Sequence, residues 1–499
     1  MSVHHTHPRT TEVAAIGSTR RPRRYLALGL TLPLALIAAC GTGESGDASS
    51  SAPAEETTPE VAEVVEAAAV TPRLALTYDG GVQVLDATTL ETVGDIELAG
   101  FNRINGAGDG RHVFVSTASG FQLLDAGSWG EPHGDHAHYY TTTPTLTDVT
   151  FPAEKPGHVV LHEGRTALFA DGTGHIAVFD SDQVADPDVE LREYTTPSAH
   201  HGVAVELSDG SLVVSEGTED ARTGIRVLDA DDEEIATSDE CPGVHGEAVA
   251  ADEAVVIGCE DGALVYADGE IAKVSSPDAY GRIGNQAGSE QSPIVLGDYK
   301  SDPDAELERP TRVSLIDTRD GGLTLVDLPS SYTFRSLGRG DDGEALVLGA
   351  DGQLHVIDPE SGELERSVPV IDAWEEPMDW QEPRPTLFVL DGSAYITEPA
   401  TNTLHAVDIE TGEVWNSVEL TVTPNELNGI SGDVPAVHED EHGEDGADGA
   451  TDSDEHTEED HEGHDHEDAG HDHEGAEGAD EGHDDHDHDH DHDHDHDDE

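Results

Sequence analysis

A short strand pattern recurs along this chain and constrains its fold more strongly than any other feature. Each copy has a short apolar strand, a turn, and a second strand of alternating hydrophobic residues that ends in Asp, as from Val82 to Asp86. Further copies end at Asp125, Asp180, Asp229, Asp317, Asp358 and Asp408, and a degenerate copy runs into Asp268. Asp-Gly pairs in the turns, as at Asp209-Gly210, are typical of hairpins. Eight copies, roughly 40 to 55 residues apart, predict an all-β, eight-bladed propeller with four-stranded antiparallel blades.

The first copy indicates how the ring closes. It begins at Arg73 and lacks an innermost strand, so we expect the chain after Leu420 to complete that blade. Closure is needed because each blade buries its faces only against its neighbours. The folded part is therefore predicted to span residues 72–437.

The N-terminal segment has the features of an export signal. A cluster of Arg residues precedes an apolar stretch, Tyr25 to Ala39, that is too short for a retained membrane span. This stretch ends in a lipobox-like sequence before Cys40. We expect a signal peptide at residues 1–39, a lipidated Cys40 and a flexible linker over residues 40–71. Such a lipoprotein would be anchored to the membrane at the outer face of the cell, and secretory cleavage without lipidation is the alternative.

The C-terminal segment has a composition that cannot form a packed core. Residues 438–499 contain 15 His, 31 Asp or Glu, and no Lys or Arg, so a disordered tail is predicted. Imidazole and carboxylate groups together suit Zn²⁺, and many overlapping sets of them give loose binding. Weak tail sites are expected at His486, His488, His490, His492, His494 and His496. The alternative is a solvated acidic tail that aids solubility.

Charge and cysteine content narrow the partners and the compartment. The formal net charge of −85 should attract cations and repel phosphate backbones, so we expect no binding to nucleic acid. The protein is also expected to be a monomer. Apart from Cys40, the chain has two cysteines, Cys241 and Cys259. An even pair in an exported protein favours a disulfide, and a predicted hairpin between them would bring the two together. A metal–thiolate pair is the alternative.

Histidines recur at the start of predicted innermost strands. His158, His200, His201 and His245 occupy this position in three consecutive copies. Innermost strands line the central channel, so these side chains should converge at one mouth of it. Three imidazoles with an open fourth position form a sound Zn²⁺ site. Candidate acidic ligands are Glu247, Glu216 and Asp148. The alternative is separate channel-lining histidines bonded to water or backbone.

A second group of histidines follows the copy that ends at Asp125. His133, His136 and His138 lie in a predicted loop leading to the outer strand of that blade. In a propeller this loop belongs to the face opposite the innermost-strand starts, so a second, separate metal site is expected there. A polar loop without metal is the alternative.

These segments resemble the AztD family of exported zinc metallochaperones. The resemblance rests on the sequence around His133 to His138, on Pro156-Gly157-His158, on His200-His201-Gly202, and on the segment from Cys241 to Glu247. It implies an eight-bladed propeller that binds zinc and passes it to the solute-binding protein of a zinc ABC importer. The lipid anchor and the long His/Asp tail are departures from the family.

The expected function is therefore capture and transfer of zinc rather than catalysis. Tail and loop histidines would concentrate Zn²⁺, and the channel histidines would hold it more tightly until a partner's ligands replace theirs. A propeller enzyme, such as a lactonase, lyase or metal-dependent hydrolase, is one alternative, because a trihistidine zinc site can activate water. A passive surface buffer that only stores zinc is the other.

Overall fold

The computed structural model describes residues 63–134 and 136–434. The predicted signal peptide, Cys40, most of the predicted linker, and the tail with its histidines lie outside these described residues. The described chain is nearly all β-structure, with two 3₁₀ turns at Ser181–Gln183 and Ala251–Glu253. Among the described residues, no helix is long and apolar enough to cross a bilayer.

The first half of the propeller alternates short strands with tight turns. One further strand, β1 (Val65–Ala67), precedes it. Blade 1 contains β2 (Arg73–Tyr78), β3 (Gly81–Asp86) and β4 (Thr92–Glu97). Blade 2 contains β5 (Ile104–Gly106), β6 (His112–Thr117), β7 (Gly120–Asp125) and β10 (Thr145–Pro152), with β8 (Ser128–His133) and β9 (His136–Thr141) inserted between its last two strands. Blade 3 contains β11 (Pro156–His162), β12 (Arg165–Ala170), β13 (His175–Asp180) and β14 (Arg192–Thr195). Blade 4 contains β15 (Ala204–Glu206), β16 (Leu212–Gly217), β17 (Arg222–Leu228) and β18 (Glu234–Ser238).

The second half repeats this plan. Blade 5 contains β19 (His245–Val249), β20 (Val255–Cys259), β21 (Asp261–Ala267) and β22 (Glu270–Ser275), and a short β23 (Gly281–Arg282) pairs in parallel with β21. Blade 6 contains β24 (Gln286–Ala287), β25 (Ile294–Asp298), β26 (Arg312–Asp317) and β27 (Gly322–Asp327). Blade 7 contains β28 (Leu337–Arg339), β29 (Ala345–Leu348), β30 (Gln353–Ile357) and β31 (Leu364–Pro369). Blade 8 contains β32 (Leu387–Leu390), β33 (Ser393–Glu398), β34 (Thr403–Asp408) and β35 (Val414–Glu419).

The C-terminal end of the described chain closes the ring. The last strand, β36 (Leu427–Ile430), pairs antiparallel with β2 and becomes the innermost strand of blade 1. Glu426, just before β36, accepts a hydrogen bond from the backbone N–H of Ile104 in blade 2 and pairs with Arg335 at the start of blade 7. The predicted completion of the first blade by the chain after Leu420 is confirmed, as is the eight-bladed, four-stranded architecture.

The hydrophobic core lies between neighbouring blades, as the alternation of apolar residues predicts. One cluster joins Val178 of blade 3, Val213 and Ile225 of blade 4, and Ile257 of blade 5, all fully or almost fully buried. Cys241 and Cys259 are buried in the same cluster and form a disulfide. This covalent link joins the segment that enters blade 5 to the second strand of that blade.

Two predictions about the segments outside the blades are corrected. His133, His136 and His138 lie on the strands of the β8–β9 hairpin rather than in a loop, because alternating polar and apolar residues pair across the two strands. The predicted flexible linker over residues 40–71 contains a strand, because β1 pairs with β9 and extends the hairpin to three strands.

Candidate metal centre

Strand direction determines which residues share a face of the propeller. Successive strands of a blade are antiparallel, so each innermost strand begins at the face to which the outermost strand of the preceding blade returns. We call this face the top face, and the opposite one the bottom face. The connection that carries His201 therefore lies at the top face, and so do the start of β11 with His158 and the start of β19 with His245.

At the top face, three imidazoles converge from three consecutive blades. The Nε2 atom of His201 lies 3.3 Å from Nε2 of His158 and 3.3 Å from Nε2 of His245. One ligand atom from each of the three residues can be chosen so that all lie within 4.8 Å of one another. All three side chains are partly buried. Ring closure thus places residues from distant parts of the sequence within reach of one ion, and we call them the trihistidine centre.

The opposite ring nitrogen of each histidine contacts an oxygen atom. Nδ1 of His158 lies 3.1 Å from a Glu247 carboxylate oxygen, and Nδ1 of His201 lies 2.6 Å from Asp171 Oδ2. Nδ1 of His245 lies 2.5 Å from the carbonyl oxygen of Gly284. Acceptors at Nδ1 favour the tautomer with the proton on Nδ1, which leaves the Nε2 lone pairs directed at each other.

Close packing explains why glycine precedes His158 and follows His245 in the sequence. A Cβ atom at Gly157 would lie 2.1 Å from Asp171 Oδ1, so only glycine lets this carboxylate approach the start of β11. Gly246 has a φ of +73°, and a Cβ there would lie 2.1 Å from Gln286 Oε1. The left-handed backbone conformation between His245 and Glu247 is therefore one that glycine adopts without strain.

The electrostatic surroundings differ between the histidines. Burial disfavours the charged ring of His158, but the Glu247 carboxylate outweighs this effect and raises the pKa of His158. Burial, together with the neighbouring His158 and His201 rings, lowers the pKa of His245 well below its usual value. His245 is thus held neutral, the state that a metal ligand requires.

A small cavity lies beside the centre. It has a volume of about 180 Å³ and is lined by Arg103, His158, His245, Glu247 and Asn285, among others. Glu247 also lines a second cavity of about 440 Å³, together with residues of β11, β19 and the segment that follows β24. Glu247 therefore lines both cavities, and it also contacts His158.

Several predicted ligands lie elsewhere. His200 is buried, and its ring nitrogens contact the Ser198 and Ser215 carbonyl oxygens, so it points away from its neighbour His201 and into the blade. Glu216 pairs with Arg226. Asp148 lies exposed on the outermost strand of blade 2, far out from the innermost strands. Glu247 contacts Nδ1 of His158, on the opposite side of that ring from the three Nε2 atoms that face one another.

Sequence reasoning missed Asp171 and the Gly284 carbonyl group. Asp171 follows β12, the second strand of blade 3, which ends at the same top face at which β11 begins. An Asp-Gly pair at that position was a usable signal. The Gly284 carbonyl left none, because a backbone acceptor has no sequence signature.

The second group of histidines forms a compact cluster on the β8–β9 hairpin. His133 and His136 are directly opposite in the strand register, and His138 follows on the same side. Nδ1 of His133 lies 3.1 Å from Nε2 of His138, and Nδ1 of His138 lies 3.1 Å from Glu66 Oε1 on β1. His133 and His136 are exposed and His138 is partly buried. Since β7 runs from the top face to the bottom face, this hairpin cluster belongs to the bottom face.

Fold and site together define an eight-bladed propeller with a trihistidine centre whose ligand atoms lie close enough together to share one metal ion. This chain is 25% identical to the zinc chaperone AztD of Citrobacter koseri over 382 residues, which cover 72% of this chain and 88% of that protein. The resemblance to the AztD family is thereby confirmed. The similar protein is named as a chaperone and not as an enzyme. No protein-family model matches the chain.

Solved structures give the same fold. The crystal structure of Citrobacter koseri AztD superposes with a TM-score of 0.63 at 24% identity, and covers 74% of this chain and 100% of that one. The apo form of the same protein gives a TM-score of 0.62 at 24% identity, with coverage of 73% and 100%. These comparisons confirm the propeller architecture.

Proposed function

We propose that this chain is an extracytoplasmic metallochaperone that captures Zn²⁺ at the trihistidine centre and passes it to the solute-binding protein of a zinc ABC importer. The observation that carries the proposal is the convergence of the three Nε2 atoms. In a tetrahedral site with Zn–N bonds of about 2.05 Å, two ligand nitrogens are about 3.3 Å apart. Two of the three Nε2 pairs are separated by 3.3 Å, so the side chains need little rearrangement to bind the ion.

The contacts at Nδ1 support zinc rather than a loosely held cation. Zinc-bound imidazoles usually donate their other N–H to a carboxylate or a carbonyl oxygen, which orients the ring and raises its basicity. Asp171, Glu247 and Gly284 supply such partners to all three rings. Imidazole nitrogen suits zinc well, although the same set would also bind nickel or cobalt.

The centre is suited to transfer because three protein ligands leave one position open. An incoming ligand from a partner can occupy that position before the His side chains leave, so aqua zinc need not be released. Structural zinc sites, by contrast, have all four positions filled by protein. The similarity to a protein named as a zinc chaperone supports this interpretation over the enzymatic one.

The remaining parts of the proposal concern location and supply. Lipidation at Cys40 would hold the propeller at the outer face of the cell membrane. The hairpin cluster and the histidines of residues 438–499 would bind Zn²⁺ weakly and raise its local concentration.

Metal transfer from the purified full-length chain tests the proposal. Zinc-loaded protein is mixed with the apo solute-binding protein, and the rate is compared with zinc loss to a small chelator. We expect transfer to the protein to be faster than loss to the chelator at the same acceptor concentration. Equal rates would mean that the chain only stores zinc.

The His158→Ala/His201→Ala/His245→Ala variant should lose this transfer and retain its β-sheet circular dichroism. His175→Ala is the matched control, because His175 contacts Glu193 on the outer strands of blade 3 and belongs to neither histidine cluster. Transfer that survives the triple substitution would contradict the proposed site.

A further inference from the structure

An exposed apolar patch lies on the same face as the trihistidine centre. Met378 is 57% exposed and Trp380 is 49% exposed. Trp380 packs edge-on against Phe101, with ring centroids 5.2 Å apart. We call Phe101, Met378 and Trp380 the aromatic patch.

Topology assigns the patch to the top face. Met378 and Trp380 lie in residues 370–386, which connect the outermost strand of blade 7 to the innermost strand of blade 8. Phe101 lies in residues 98–103, the equivalent connection between blades 1 and 2. Both connections are of the type that carries His201 between blades 3 and 4.

Hydrogen bonds and a buried ion pair fix the connection that presents Met378 and Trp380. The side chain of Arg384 is almost fully buried, pairs with Glu376 and donates a hydrogen bond to the carbonyl oxygen of Asp379. The indole N–H of Trp374 donates to the carbonyl oxygen of Gly349 in blade 7. Large apolar side chains on a fixed backbone lose little further freedom on binding, which favours a preformed docking site.

Phe101 also links the patch to the metal site. Two residues further along the same connection, Arg103 lines the cavity beside His158 and His245. Its guanidinium group lies 3.5 Å from Glu426, the residue that joins blades 1, 2 and 7. A protein seated on Phe101 would therefore contact the same face as the trihistidine centre, two residues from the side chain that lines the cavity beside it.

The surroundings of the patch indicate the chemistry of its partner. The exposed carboxylates of Asp372, Asp379 and Glu382 flank Met378 and Trp380 within the same connection. A fourth exposed carboxylate, that of Glu375, pairs with Arg309. An apolar centre with an acidic border fits a protein surface that presents an apolar anchor surrounded by Lys or Arg.

We propose that the aromatic patch is the docking surface for the protein that accepts zinc, and that this acceptor binds with a basic, apolar-centred surface. The inference rests on the proposed function and adds the location and the chemistry of the encounter. Aromatic side chains at the middle of an interface commonly supply a large share of its binding energy.

The test compares two acceptors for zinc-loaded full-length chains. The Met378→Ala/Trp380→Ala variant should transfer zinc to the apo solute-binding protein about tenfold more slowly at sub-saturating acceptor, because large side chains at the centre of an interface supply much of its binding energy. Its zinc loss to a small chelator should equal that of the unsubstituted chain, since no zinc ligand changes. The control is Val414→Ala/Trp415→Ala, which removes similarly exposed side chains from the outermost strand of blade 8.

The outcomes separate the two proposals. Normal transfer by the Met378/Trp380 variant, or equal slowing in the Val414/Trp415 control, would overturn the docking surface and leave the proposed function intact. Absence of any transfer from the unsubstituted chain would overturn the proposed function and the docking proposal with it. Added salt should slow transfer to the protein and not to an uncharged chelator; a rate to protein that is insensitive to salt would contradict the basic partner.

Discussion

Each of the two clusters contains three histidine side chains, but the clusters are assembled in different ways. The hairpin cluster takes His133, His136 and His138 from six consecutive residues and needs only a two-stranded turn. The trihistidine centre takes His158, His201 and His245 from three consecutive blades and needs those blades to pack side by side. Local assembly is easy to form but leaves the ligands exposed, whereas assembly by the whole fold buries them partly and fixes their orientation.

The oxygen atoms that contact the Nδ1 atoms also differ between the two clusters. Each Nδ1 atom of the trihistidine centre meets an oxygen atom held by the propeller. In the hairpin cluster, the carboxylate contact comes from Glu66, whose side chain is 64% exposed. Preorganisation, rather than ligand identity, should therefore separate a tight site from a weak one.

The largest effect is expected when the ligands of each cluster are removed. His158→Ala/His201→Ala/His245→Ala should weaken the tightest zinc binding by more than about 100-fold, because loss of a single hydrogen-bond partner of a ligating imidazole already costs roughly 10–100-fold. His133→Ala/His136→Ala/His138→Ala should leave the tightest binding unchanged. Competition with a chelator of known affinity measures both, and the reverse result would show that the hairpin is the tight site.

The disulfide gives a second way to separate the two clusters. Cys241 and Cys259 are 18 residues apart in sequence, and their bond holds the segment that leads into His245. Cys241→Ala/Cys259→Ala should lower the free energy of unfolding by about 3 kcal/mol, as measured in denaturant. It should also weaken zinc binding at the trihistidine centre and not at the hairpin. Unchanged zinc affinity at the trihistidine centre would mean that blade packing alone positions His245.

The order of blades and the closing strand followed from the sequence, and the reason is physical. Alternating apolar residues and Asp-Gly turns are local signals, and eight of them in a row permit few architectures. The same periodicity located His158, His201 and His245, because blade position converts a sequence number into a place on the ring.

The structure differs from the sequence-based predictions where tertiary contacts or backbone pairing determine the position of a residue. His200 and His201 are adjacent, but the His200 ring is held by the Ser198 and Ser215 carbonyl oxygens, so only His201 reaches the centre. The charge of Asp148 makes it a candidate ligand in the sequence, but this residue lies on an outermost strand. The pairing of β1 with β9 joins segments about 70 residues apart in sequence, and no local pattern around Val65 indicates it.

Removal of the Asp171 negative charge should have an intermediate effect on zinc affinity. Asp171→Asn keeps the shape of the side chain but removes the negative charge beside His201 Nδ1, so zinc affinity at the trihistidine centre should fall about 10-fold. Chelator competition measures the change, and the β-sheet circular dichroism should remain. Because Asp171 is outside the hairpin, an equal loss of zinc at both clusters would indicate a general structural effect instead.

The smallest effect is expected at the hairpin. Glu66→Gln removes the carboxylate beside His138 Nδ1, but an exposed ion pair contributes only about 0–1 kcal/mol. Zinc occupancy at the hairpin should therefore fall by no more than a few-fold. Anomalous scattering from crystals soaked in graded zinc concentrations measures each cluster separately, and it does so without interference from the tail histidines. A loss as large as that caused by Asp171→Asn would mean that β1 preorganises the hairpin as effectively as the ring preorganises the trihistidine centre, and the contrast between local and global assembly would fail.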